Sequence, residues 1–196
     1  MNYKLKDVLM IAVCAVLFGV IFLGATYAGG MLYGLLAPFG LASLGYEPFY
    51  GIYFLGGAFA LYVMRKPGAG IIAEILGAVI ETLLGNFFGP IIILSGFVQG
   101  FGFELVIALK KYKKFDIVTL IEASVCCSVL TLIYNLIISG YNKIAVPVLA
   151  LMLVVRIISA IIFDAFINKS VGDKLARAGV LNGYEISKEI NNNPED

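Results

Sequence analysis

Glu74 and Glu81 are the residues any chemistry in this chain must be reconciled with. They lie in AEILGAVIETLLGN, residues 73–86, a stretch otherwise apolar enough to sit in lipid. Seven positions on a helix are two turns less about 20°, so both carboxylates share one face with Gly77, Ala78 and Gly85. An ionisable group inside a membrane segment costs about 2.5–3.5 kcal/mol on insertion scales and is usually kept for a function. Glu47, Glu104, Glu122, Asp164 and Arg156 are further charged residues in or beside apolar runs.

Other chemistries lack their residues. The chain has no histidine, which removes histidine triads and HExxH zinc sites. Cys14, Cys126 and Cys127 sit in apolar runs and read as small buried residues, with neither a metal knuckle nor a disulfide framework. KPGAG at residues 66–70 lacks the Lys-Ser/Thr ending of a phosphate-binding loop, so the chain cannot itself couple ATP hydrolysis to anything. No cofactor, metal or nucleic-acid partner is expected, and no catalytic residue.

The elements that must position these acids are membrane helices. Of 196 residues, 61% are hydrophobic and only 14% charged, against about a quarter charged in soluble domains. Six apolar segments cover residues 8–28, 49–64, 68–84, 89–109, 117–139 and 146–167. The second and third are short for spans, which need about 20 residues, and RKPG at 65–68 reads as a tight turn between them, with Pro67 breaking the helix. The first run exceeds the usual signal-peptide core of about 7–15 residues and reads as a retained helix. With the N-terminus cytoplasmic, 12 of the 14 Lys and Arg residues fall on the cytoplasmic side, as basic residues in short loops do. An odd number of helices spoils that partition. The expected architecture is therefore an all-α bundle of six transmembrane helices with both termini cytoplasmic. It forms one membrane domain, residues 1–171, followed by a polar, partly frayed cytoplasmic tail, 172–196.

Depth then sorts the polar residues into two layers. The outer layer holds Glu47, Glu81, Asn86, Tyr134 and Asn135, with Tyr50, Tyr53, Phe54, Phe87 and Phe88 close in sequence or depth. Gln99 lies near mid-membrane. Aromatic walls with a few convergent polar groups make a small-molecule pocket, and an acid among rings suits a flat cation. The Gly- and Pro-rich outer loop, 29–48, reads as a lid or site-lining segment. The inner layer, Glu74, Glu104, Glu122 and Asp164, reads as a structural network in which Arg156 neutralises one or two carboxylates. Ala12, Ala15 and Gly19 form a small-residue stripe that suits close approach of another subunit's helix.

Four blocks carry a resemblance: YEPFYGIYF, RKPGAGIIAEILGAVIETLLGN, SGFVQGFGFELV and AGVLNG. They resemble the YkoE family, substrate-binding (S) subunits of energy-coupling-factor (ECF) vitamin transporters on the thiamine and hydroxymethylpyrimidine branch, over most of the chain. The resemblance implies a six-helix S-component fold in a prokaryotic plasma membrane, with a vitamin site near the extracellular side. It also implies partnership with a transmembrane coupling (T) protein, touching Ala15 and Gly19, and with two ATPase subunits. Glu47, Glu81, Asn86 and Gln99 stand inside the matching blocks and become candidate ligand contacts. Where family members often carry Trp, this chain has Tyr53 and Phe88, which leaves stacking to smaller rings and opens a shift toward the uncharged pyrimidine. The rival expectation is a standalone secondary transporter or cation channel using its acids as a relay. A membrane enzyme ranks last.

Overall fold

A computed structural model describes residues 3–192. Helix α1, Leu5–Leu36, runs outward and is followed by short 3-10 turns at Ala37–Phe39 and Ala42–Phe49. Helix α2, Tyr50–Met64, returns inward, α3, Ala69–Leu83, runs outward, and α4, Ile91–Leu109, returns. Helix α5, Ile117–Ile138, runs outward, and α6, Val146–Ala160, comes back through a π-helical turn, Ile161–Ile167, into α7, Asn168–Arg177. A last helix, α8, covers Glu185–Asn192.

Among the described residues every regular element is helical, and the six-helix bundle agrees with the sequence expectation. Helices α1, α4, α5 and the continuous α6–α7 rod are long and apolar enough to span alone. With 15 residues each, α2 and α3 rise about 22 Å, less than the ~30 Å hydrocarbon core. The shortfall is tolerated in α2 because other helices surround it: Phe54, Ala58, Ala60, Leu61 and Val63 are all buried. Val13, Leu17 and Val20 of α1 and Val118 of α5 point outward and are exposed, as a bilayer solvent demands.

The expected outer loop, 29–48, is largely helical instead. Nothing breaks α1 before Pro38, so it continues eight residues past residue 28, and Gly29 lets Tyr46 pack directly on its backbone. The two ends of the described chain lie at one end of the bundle. Lys6 donates to the Gly183 carbonyl, and Tyr184 donates to the Lys6 carbonyl at 2.7 Å. The boundary drawn at 171/172 cuts through α7, and the described part of the tail is built into the bundle. There Leu181 and Ile186 are buried, Gly172 packs on Tyr62, and Tyr62 donates to Asp173 at 2.6 Å. Residues 193–196 of the expected frayed end lie outside the described residues.

The small-residue stripe on α1 is used inside the bundle. Ala15 is buried, and a Cβ on Gly19 would stand 2.8 Å from the Gly77 carbonyl oxygen and from Ile80 of α3. Close packing on α3 accounts for the glycine at position 19. Ala12 alone of the three faces outward.

Candidate functional site

Helix α2 sets where the bundle closes and where it opens. Its inner half carries Gly56, Gly57, Ala58 and Ala60, which let α1 and α3 approach. Its outer end carries Tyr50 and Tyr53, whose rings meet edge-on with centroids 5.8 Å apart. Both rings line a space between the helices. That space is an outer cavity of about 380 Å³, within the range of small-molecule sites.

Eight of its twenty lining residues are aromatic: Phe22, Tyr33, Tyr46, Tyr50, Tyr53, Phe88, Tyr134 and Tyr141. Polar groups enter from Thr26, Ser43, Ser95, Gln99, Asn135 and Ser139. Glu81 is the one acid among the lining residues, and none of them is Lys or Arg.

Glu81 is held by a short relay. Thr26 of α1 donates to Glu81 Oε1 at 2.7 Å and lies 3.1 Å from the Tyr53 hydroxyl. A threonine hydroxyl has a single proton, so with that proton on Glu81 the Tyr53 hydroxyl is the donor to Thr26. Asn86 also donates to Oε1, while its own carbonyl oxygen accepts from the Phe88 backbone N–H at 2.6 Å. Both protein donors thus land on one oxygen, and among the described residues Oε2 accepts none. A carboxylate whose partners are all neutral, with one free oxygen in an aromatic cavity, is arranged to accept from a positively charged or N–H-bearing ring.

Of the eight expected contacts, Tyr53, Glu81, Phe88, Gln99, Tyr134 and Asn135 line this cavity. Gln99 donates to Ser95 Oγ at 3.0 Å, one turn away on α4. Asn86 stands behind the wall as the residue that orients Glu81 and Phe88. Glu47 corrects its expectation. It is fully buried, bound through both oxygens to Arg156 at 2.7 and 2.8 Å, and does not line the cavity. Arg156 therefore serves the outer layer and neither Glu74 nor Glu104 of the inner one. Sequence reasoning missed Thr26, Tyr33 and Tyr46. Thr26 carried a signal, as a hydroxyl in an otherwise apolar helix; the two tyrosines lay in a segment read as loop.

Fold and cavity together define the class: a multi-pass membrane protein with a small-molecule cavity at one end. A solved structure described as an S-component of an ECF transporter matches with a TM-score of 0.92 at 38% identity, covering 99% of this chain and 96% of its own. A Bacillus subtilis (strain 168) protein named "Putative HMP/thiamine permease protein YkoE" is 39% identical over 189 residues, 96% of this chain and 92% of that protein. Residues 6–130 also match a family model described as the permease component of an ABC-type cobalt transport system. The chain belongs to the YkoE family of ECF transporter S components. Among the described residues no three His, Cys, Asp or Glu side chains group as metal ligands.

Proposed function

We propose that this subunit captures thiamine or its hydroxymethylpyrimidine precursor in the outer cavity, for delivery inward with a T protein and two ATPase subunits. The observation that carries the proposal is the free oxygen of Glu81 in a ring-lined cavity without a basic residue. Thiamine offers a permanent cation and an aminopyrimidine. The precursor offers the same aminopyrimidine, and the name of the B. subtilis relative covers both molecules. An amino N–H of the shared ring can donate to Glu81 Oε2. Tyr53, Phe88 and the other rings supply the faces on which a flat heterocycle stacks, in the absence of Trp. Asn135 of α5 and Ser139, the residue that follows this helix, both line the cavity and suit a hydroxyl or ring nitrogen at the ligand's far end.

Calorimetric titration of the purified protein tests this. Thiamine or hydroxymethylpyrimidine should bind saturably with one site per chain, and failure of both to bind ends the proposal. Liposomes separate the rival class of transporter. Uptake by this chain alone, driven by an ion gradient, would contradict a subunit that depends on partner ATPases.

A further inference from the structure

Arg156 is buried to 0% exposure in the outer half of a membrane bundle, and it does not line the cavity. A buried charge pair gains little net stability over apolar residues of the same volume, so stability alone is a weak reason for its presence. Its contacts converge on one cavity wall. Nε and Nη2 clamp both oxygens of Glu47, three residues before Tyr50. Nη1 donates to Thr131 of α5 at 3.2 Å, and the guanidinium carbon stands 3.5 Å from the centre of the Tyr50 ring. One turn along α6, Ser159 donates to the Pro48 carbonyl at 2.6 Å and accepts from the Gly51 backbone N–H at 3.1 Å. Residues on both sides of Tyr50 are thus bolted to α6. Its ring is backed by a planar cation, and its hydroxyl accepts from Asn135.

We infer that Arg156 is a positioning residue for ligand capture: it fixes the Tyr50 wall through Glu47 and ring stacking, without touching the ligand. Tyr50 is the part of the wall that every one of these bonds restrains. The ion pair also cancels its own charge, so Glu81 is left as the net charge that the cavity presents. The planar, bidentate guanidinium suits both jobs, and a lysine ammonium can do neither in the same way. This inference rests on the capture of thiamine or its pyrimidine proposed above.

The test is a thermodynamic cycle read by thiamine titration, or by titration of the pyrimidine if that is what the wild type binds. The paired variant Glu47→Leu/Arg156→Met removes both charges together. It should keep its thermal unfolding temperature within a few degrees of wild type while losing at least about tenfold in affinity. Tyr50→Leu alone should lose a similar factor, and the triple variant should lose no more than the larger of the two, because both changes remove one wall. Losses that multiply, as independent sites do, would overturn the inference. So would wild-type affinity in the paired variant. Should the paired variant not fold, Arg156→Lys carries the test, with weakened binding expected and unchanged binding contradicting the inference. A wild type that binds neither ligand would instead sink the proposed function, so the two failures are distinguishable.

Discussion

Glu74 and Glu81 occupy one face of α3, two turns apart, and meet opposite surroundings. Glu74 faces the glycines of α2. Its Oε1 accepts from the Gly57 backbone N–H at 2.7 Å, its Oε2 has no donor among the described residues, and it is 1% exposed. Glu81 faces Thr26 and an open cavity. The inner half contains more of the first kind. Both oxygens of Asp164, within the π-helical turn, and both side-chain polar atoms of Asn168 are buried without a protein partner. Glu104 there has a structural task, accepting from the Gly68 and Ile71 backbone N–H groups at the start of α3 and from the Tyr112 hydroxyl, where a helix N-terminus favours negative charge. An intramembrane acid is therefore not assigned by residue type or face. The residues opposite differ: glycines of α2 pack over Glu74, whereas Tyr53 and Thr26 line the cavity beside Glu81.

Breaking the functional side should have the largest effect. Glu81→Gln removes a charge-assisted contact of about 1.5–3 kcal/mol. Thiamine affinity should then fall roughly 10- to 150-fold by calorimetry, with the unfolding temperature little changed. On the closed side, Gly57→Ala places a Cβ 2.7 Å from Glu74 Cγ and 2.9 Å from the Gly70 carbonyl oxygen. Overpacking of that kind costs about 1–3 kcal/mol in unfolding measurements, whereas Gly24→Ala, with nothing within 4 Å, should cost nothing. Tyr112→Phe removes one hydrogen bond to Glu104, worth about 1 kcal/mol, and should lower stability without altering affinity. The smallest effect sharpens the comparison most. Glu74→Gln should leave thiamine affinity within about threefold of wild type, under 1 kcal/mol, because no ligand reaches it.

Much of this was legible in the residues. Hydropathy and the distribution of Lys and Arg place six helices and their direction, and the depth of Glu81 follows from the turn at Gly85–Pro90, with Gly85 and Gly89 at positive φ. Depth also brings Tyr53, Phe88, Tyr134 and Asn135 to one layer. Pairing does not follow from depth. Glu47 and Arg156 are 109 positions apart, and only the packing of the 3-10 segment Ala42–Phe49 on α6 shows that they meet. The stripe through Ala15 and Gly19 is a related case: small-residue spacing states that a helix approaches closely, not which helix, and at Gly19 α3 does so. The π-helical turn around Asp164 leaves no mark in hydropathy at all.

The structure of the ligand-loaded protein tests the central claim most directly. The account predicts thiamine or its pyrimidine between Tyr50, Tyr53 and Phe88, with a ring amino group about 3 Å from Glu81 Oε2, while Thr26 and Asn86 keep their hold on Oε1. Ligand bound elsewhere, or bound in this cavity with Glu81 Oε2 still lacking a donor, would contradict it.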